Sequence, residues 1–129
     1  MPAIIQHVEG DEFQKSRAFS PAVITEGGKT VWLAGQTATK DLEGADISGN
    51  FAAQARTCFA LIERTLARAG DSLDNLVWMT VFINDPRYGD EFVKIRSGIF
   101  NHGRFPASAL ITVSHFARPG IEIQGLGVV

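Results

Sequence analysis

The pattern of hydrophobic and polar positions divides the chain into strands first and helices later. Short, apolar, β-rich runs predict three early strands, at residues 4–8, 19–25 and 30–34. The turn Glu26-Gly-Gly-Lys29 indicates that the second and third of these form a hairpin. From about residue 50 to residue 69, apolar side chains recur at spacings of three or four, which predicts a helix with one buried stripe. Gly70 is expected to end this helix.

The later part of the pattern predicts a second helix and three further strands. Those strands are residues 76–83, 107–113 and 121–129. Asp85 and Pro86 are suited to the start of a helix that reaches Phe100. The predicted order is β-β-β-α-β-α-β-β, one α+β domain over residues 1–129 with two helices on one face of one sheet. The other face is left uncovered, which favours a symmetric partner.

Composition narrows the functional classes. The chain has 129 residues, of which 45% are hydrophobic and 20% charged, as in ordinary globular domains. Its net charge of -2 and its lack of basic clusters argue against a nucleic-acid partner. The single cysteine, Cys58, excludes an internal disulfide, and residues 1–10 lack the basic and apolar regions of a signal peptide. We therefore expect a cytoplasmic protein that does not insert into membranes.

Seven short motifs occur along the chain in a characteristic order. They are Phe19-Ser-Pro-Ala-Val23, Ala34-Gly-Gln36, Gln54, Ala69-Gly70, Val77-Trp-Met-Thr-Val81 with Asp85, Phe105-Pro-Ala107 and Ile121-Glu-Ile123. In this order they resemble the Rid (reactive intermediate deaminase) family, also called the YjgF or L-PSP endoribonuclease-like family. The resemblance implies a chorismate-mutase-like fold and a homotrimer whose sheets form an inner barrel. It also implies small-molecule clefts between subunits, where imines or enamines are hydrolysed without a metal or an organic cofactor.

Glu122 is the candidate catalytic residue. It occupies the position of the family's C-terminal acidic residue, between Ile121 and Ile123. The resemblance implies that its carboxylate positions a water molecule and moves a proton. Spacing alone favours a different interpretation, a solvent-facing position on a strand whose side chains alternate between two faces.

Ser108 stands where active members of the family carry an arginine. That arginine clamps the substrate carboxylate through two parallel hydrogen bonds, which a serine hydroxyl cannot reproduce. Efficient deamination of 2-imino acids is therefore not expected. The other cleft positions that the resemblance implies are Phe19 in place of tyrosine, Ala34 in place of serine, Gly35, and Leu110 in place of cysteine.

Three arginines are candidates to replace the missing charge: Arg96, Arg104 and Arg118. For each of them, a solvated surface arginine is the favoured interpretation, because it is the commoner case. Cys58 falls on the apolar stripe of the first helix and is predicted to pack in the core. The histidines His7, His102 and His115 are too scattered to indicate a metal site, and we interpret them as surface or capping groups.

Two functions remain open at this point. The first is a divergent Rid-type hydrolase or deaminase that acts on a small imine, enamine or related metabolite and uses Glu122. The second is a non-catalytic trimeric module that binds a small metabolite or another protein. RNA cleavage, which one of the family's names suggests, is opposed by the acidic net charge.

Overall fold

The computed structural model describes residues 1–100, 103–116 and 120–129, and it confirms the predicted α+β fold. The strands are β1 (Ile4–His7), β2 (Val23–Glu26), β3 (Thr30–Gln36), β4 (Leu76–Ile83), β5 (Ala107–Thr112) and β6 (Ile121–Val128). The α-helices are α1 (Glu12–Ser16), α2 (Phe51–Arg68) and α3 (Gly89–Ile99). Short 3₁₀ turns at Leu73–Asn75 and Pro86–Tyr88 precede β4 and α3. Relative to the predicted order, the structure adds α1.

The strands form two sheets rather than the one that was predicted. A four-stranded sheet has the order β3-β6-β4-β5, in which only β4 and β5 are parallel, while β1 and β2 form an antiparallel pair of their own. The predicted hairpin between β2 and β3 is therefore wrong. Gly27 and Gly28 both have positive φ and turn the chain away from β2. The backbone N–H groups of Gly28 and Lys29 donate to Met1 and Val129, so this turn is bonded to both ends of the chain.

Helices α2 and α3 cover one face of the four-stranded sheet. The buried sheet residues beneath them include Met79, Val81, Ile83, Ile121 and Ile123. Between the helices and this face, the ring of Phe59 lies 5.9 Å from that of Phe92 and meets Phe100 edge-on at 5.7 Å. Cys58 is fully buried in this core, as its position on the apolar stripe predicted.

The opposite face of the sheet is left uncovered, as the element order predicted. Trp32 is 79% exposed and Trp78 44% exposed on this face, and Ile111 is also exposed. Phe82 lies beside Ile111 in the β4–β5 register and is half-buried. A single chain therefore presents a broad aromatic and aliphatic surface to solvent.

The first turn of the chain after β1 is fixed by a capping box on α1. The Asp11 carboxylate accepts a hydrogen bond from the Gln14 N–H at 2.8 Å, and the Gln14 side chain accepts one from the Asp11 N–H at 2.9 Å. The helix ends before Ala18, which is buried and has a φ of 60°. This left-handed conformation reverses the chain, and the Ser20 hydroxyl then donates to the Phe105 carbonyl at 2.6 Å. The turn and this bond together place Phe19 beside the start of β5.

In the part of the chain that the structure describes, no helix is long and apolar enough to cross a membrane.

Candidate functional site

The Glu122 side chain lies on the uncovered face of the sheet. Glu122 pairs with Phe82 of β4, whereas its neighbours Ile121 and Ile123 are buried against the helices. The carboxylate extends over Gly35 of β3, where a Cβ atom would lie 2.6 Å from Glu122 Oε2. A side chain at position 35 would therefore have to displace the end of the Glu122 side chain. Two of the predicted site residues are thus brought into direct contact.

A depression of about 270 Å³ opens next to this carboxylate. It is lined by Phe82, Val113, His115, Phe116 and Glu122, and we call it the Glu122 pocket. Within the described ranges, no hydrogen bond or ion pair occupies the Glu122 carboxylate. The pocket therefore brings an imidazole and a carboxylate that is unpaired among the described residues together between aromatic walls, an arrangement suited to acid–base chemistry on a small molecule.

His115 in this pocket was missed by the sequence analysis. The histidine had been interpreted as a surface or capping group, but it lines the same depression as Glu122. No periodic signal connects the two residues, because His115 follows the end of β5 while Glu122 lies within β6. Phe82 lies opposite Glu122 in the β4–β6 register, so both side chains are on the same face of the sheet.

Cys58 lies beneath the sheet near Glu122 but is unsuited to nucleophilic chemistry. Burial, and to a smaller extent the Glu122 carboxylate, raise the pKa of the Cys58 thiol to about 12. Its sulfur donates to the Gln36 carbonyl at 3.3 Å. The thiol therefore stays protonated at neutral pH, in agreement with its predicted role in the core.

Arg96 is buried, so its interpretation as a solvated helix residue is wrong. The side chain is 2% exposed, and its Nη1 donates to the Ser108 hydroxyl at 3.0 Å. The guanidinium carbon lies 5.2 Å from the centre of the Phe92 ring. Burial, together with the nearby Arg17, lowers the pKa of Arg96 to about 10, so the group remains charged at neutral pH. Arg96 therefore brings a positive charge from α3 into contact with Ser108 on β5, the residue that the motif resemblance aligns with the family's arginine.

Arg96 also anchors the turn that carries Phe19. Its Nη2 donates to the Arg17 carbonyl at 2.6 Å, immediately before the left-handed residue Ala18. Arg17 itself forms an ion pair of 2.7 Å with Asp90 at the surface. Arg96 Nε has no hydrogen-bond partner among the described residues. One buried guanidinium thus connects Ser108 with the turn before Phe19, two of the predicted cleft positions.

A second depression, which we call the Phe19 pocket, has a volume of about 480 Å³. It lies between residues 7–20 and the segment Gly103 to Phe105. The side chains that matter for its chemistry are His7, Glu9, Lys15, Phe19 and Arg104. The predicted cleft residue Phe19 and the candidate Arg104 are therefore neighbours.

The remaining predicted cleft residues are divided between the two faces of the sheet. Ser108 pairs with Met79 and Leu110 with Val81, so both side chains point towards the helices, and Leu110 packs against the core. Ala34 is exposed on β3, on the same strand as Gly35. Within one chain, Glu122 and Ser108 consequently lie on opposite faces. Arg118 and His102 lie outside the described residues.

A metal centre finds no support in the described ranges. No group of three or more histidine, cysteine, aspartate or glutamate side chains there is placed to hold a metal ion.

The structure is similar to several solved structures across nearly its whole length. A Rid-family protein of unknown function from Yersinia pestis, YyfB, shares 22% identity and covers 100% of both chains with a TM-score of 0.82. A YjgF/YER057c/UK114-family protein from Mycobacterium tuberculosis shares 27% identity, covering 98% of this chain and 100% of its own with a TM-score of 0.66. RidA from an Antarctic Psychrobacter shares 27% identity, covering 86% of this chain and 88% of its own with a TM-score of 0.71.

A comparison with curated protein sequences gives no significant match. The family model described as endoribonuclease L-PSP, however, matches residues 9–129. That match spans nearly the whole chain and agrees with both the motif order and the fold, so the protein belongs to the L-PSP endoribonuclease-like family, the family of the Rid and YjgF proteins.

Proposed function

We propose that this protein is a divergent Rid-type hydrolase that acts on a small imine, enamine or related metabolite. Membership of the Rid family supports a deaminase or small-metabolite-binding role in general terms. The observation that carries the finer proposal is the Glu122 pocket, where the Glu122 carboxylate and the His115 imidazole face one small depression with aromatic walls.

The chemistry that this pair supports is the addition of water to a C=N bond. Glu122 accepts a proton from a water molecule while the oxygen of that water bonds to the imine carbon, and the nitrogen is protonated. The carbinolamine that forms then loses ammonia as its C–N bond breaks, and a carbonyl product remains. His115 is the second proton carrier, since an imidazole ring has one nitrogen that can donate a proton and one that can accept it. Phe82 and Phe116 supply aromatic walls beside the reacting groups.

Ser108 bears on the choice of substrate. Its hydroxyl accepts a hydrogen bond from the buried Arg96, so position 108 offers a ligand no guanidinium fork. Losing a desolvated contact of that kind costs on the order of 2–5 kcal/mol of binding. The preferred substrate is therefore less dependent on a carboxylate than the 2-imino acids are.

A panel of imines and enamines tests this proposal directly. Each compound is generated in the assay and the ammonia that is released is measured with and without the protein. We expect weak or no acceleration with 2-iminopropionate and clear acceleration with at least one imine that lacks the carboxylate. Hydrolysis of 2-iminopropionate at the rate of arginine-containing members would contradict the role assigned to Ser108. No acceleration with any compound would favour the second function.

The second candidate function is a non-catalytic module that binds a small metabolite or a protein. The observation that favours it is the structural use of Arg96, whose guanidinium holds Ser108 and the Arg17 carbonyl together. A residue tied in this way stabilises the fold instead of binding a ligand. In such a module, Glu122 and His115 would line a binding pocket without chemistry.

We further propose a cytoplasmic homotrimer in which the uncovered sheet face is buried. Trp32, Trp78, Phe82 and Ile111 lie on this face, and their exposure is unfavourable for an isolated chain. Glu122 lies on the same face, so neighbouring subunits would enclose its pocket. The cleft between subunits would then hold the small-molecule ligand.

Sedimentation equilibrium tests the assembly. From a chain mass of 14.0 kDa we expect a species of three times that mass, about 42 kDa. The variant Trp78→Glu places a charge on the face and is expected to shift the population towards monomer. Glu63→Gln, an exposed change on α2, is the control. A wild-type chain that sediments as a monomer at micromolar concentration would remove the enclosed cleft from the proposal.

A further inference from the structure

The Phe19 pocket carries an excess of positive charge that the described part of the chain does not neutralise. Lys15 and Glu9 form an ion pair of 2.7 Å at its edge, so their charges offset one another. Arg104 is exposed, and no hydrogen bond or ion pair engages its side chain within the described ranges. The pocket is thus left with one unpaired guanidinium.

His7 lies in the field of this guanidinium. Burial, and next the charge of Arg104, lower the pKa of His7, while Asp74 acts in the opposite direction. The Nε2 atom of His7 is enclosed and has no hydrogen-bond partner among the described residues. An anion bound beside Arg104 would offset the positive field and so favour protonation of His7. The electrostatics of the pocket therefore suit an anionic ligand.

The other large side chains of the lining are apolar, and the Ser20 hydroxyl donates to the Phe105 carbonyl. Phe19 and Phe105 contribute aromatic side chains and Val8 an aliphatic one. A cavity of about 480 Å³ has room for a small organic molecule rather than only for an inorganic ion. A ligand that matches both parts of the lining has one negative group and a hydrophobic body.

We propose that the Phe19 pocket binds a small monocarboxylate with an apolar body, and that Arg104 is its carboxylate-binding residue. Of the three arginines considered from the sequence, Arg96 is buried and bonded to Ser108 and the Arg17 carbonyl, and Arg118 lies outside the described residues. Arg104 is exposed and lines a cavity. Binding at this site does not require Glu122 or any hydrolytic step, so its test can succeed or fail separately from the test of the proposed function.

Benzoate and its neutral isostere benzamide test the site by isothermal titration calorimetry. We expect benzoate to bind at least about tenfold more tightly than benzamide, the difference expected for one charge-assisted contact. Arg104→Gln should remove this preference and leave benzamide binding unchanged. Arg64→Gln, which removes an exposed arginine on α2, is the matched control and should bind benzoate like the wild type. Equal affinity for the two compounds, or an equal effect of the two arginine variants, would overturn the proposal.

The pKa of His7 provides a second measurement, because benzoate would not change it if Arg104 had only a structural role. In NMR titrations, with the signal identified through His7→Gln, benzoate should raise the pKa of His7 in the wild type but not in Arg104→Gln. Because binding then takes up a proton, benzoate affinity should increase as the pH falls through the titration range of His7. Glu122→Gln should show the same benzoate affinity as the wild type. A loss of affinity in Glu122→Gln, with none in Arg104→Gln, would assign the ligand to the Glu122 pocket instead.

Discussion

Glu122→Gln is expected to lower turnover by about 10²–10⁴-fold, the contribution typical of a positioned general acid or base. The amide keeps the shape of the carboxylate and still fits over Gly35, but it cannot accept a proton from water. Since no described residue bonds to this carboxylate, the free energy of unfolding should change by less than about 0.5 kcal/mol. The measurement is ammonia release with the best imine of the panel, alongside denaturant unfolding of the same protein.

Glu91→Gln is the matched control, because it makes the same chemical change at an exposed position of α3. It should leave both turnover and stability unchanged. If Glu122→Gln keeps wild-type turnover and instead loses several kcal/mol of stability, the carboxylate is structural and the second function is favoured.

Gly35→Ala tests the same carboxylate without removing it. The added Cβ would lie 2.6 Å from Glu122 Oε2, so the flexible end of the glutamate has to move. We expect turnover to fall while the melting temperature stays nearly constant, since a solvent-facing side chain rotates away at little cost. Unchanged turnover in Gly35→Ala would show that the position of the carboxylate over β3 is unimportant for the reaction.

Ser108→Arg is expected to destabilise the protein by on the order of 3 kcal/mol rather than to restore the family's usual site. The side chain at position 108 points towards the helices, where the buried guanidinium of Arg96 already lies. A second guanidinium there would meet a like charge in a buried environment. Ser97→Arg, at an exposed serine of α3, is the matched control and should be close to neutral.

The double variant Arg96→Ser with Ser108→Arg separates charge repulsion from a general intolerance of arginine at position 108. It moves the guanidinium from α3 back to β5 and leaves one buried cation, so it should recover most of the stability lost in Ser108→Arg. Denaturant unfolding of the wild type, Arg96→Ser, Ser108→Arg and the double variant at one protein concentration gives the coupling energy between the two positions. Additive effects of the two substitutions would contradict the direct contact between these side chains.

Elements with a strong pattern were predicted well from the sequence. The stripe of apolar side chains predicted a helix at about residues 50–69, and α2 spans Phe51–Arg68. The β-rich run 76–83 coincides with β4, Leu76–Ile83. Both elements are buried against the core, and burial on one stripe or face is what produces such a pattern.

The pattern of apolar residues predicted neither the pairing of the strands nor the helix α1. The five residues of α1 give no periodic signal, because none of them is buried. The spacing of Asp11 and Gln14, which fits a capping box, was the one signal that could have indicated this helix. The β2–β3 hairpin was expected from the turn Glu26-Gly-Gly-Lys29 between the two runs, but β3 pairs with β6, which lies at the far end of the chain. Sequence adjacency does not contain that information.

The sequence contained a signal that could have predicted the burial of Arg96. Arg96 follows Phe92 by four residues and precedes Ile99 by three, so it lies on the apolar stripe of α3. An arginine on a buried stripe calls for an acceptor nearby, and the serine at position 108 supplies one. By contrast, nothing in the sequence joined His115 to Glu122, because their proximity arises from the packing of a loop against the sheet.

The contact between Arg96 and Ser108 also has an evolutionary consequence. If an ancestor carried the family's arginine on β5, replacing it first would have left this part of the core without a buried cation, while gaining Arg96 first would have placed two cations together. The two positions are therefore expected to be epistatic, with the fitness of either residue dependent on the other. Across relatives, an arginine at one of these positions should exclude an arginine at the other, and serine or another small polar residue at position 108 should accompany arginine at position 96.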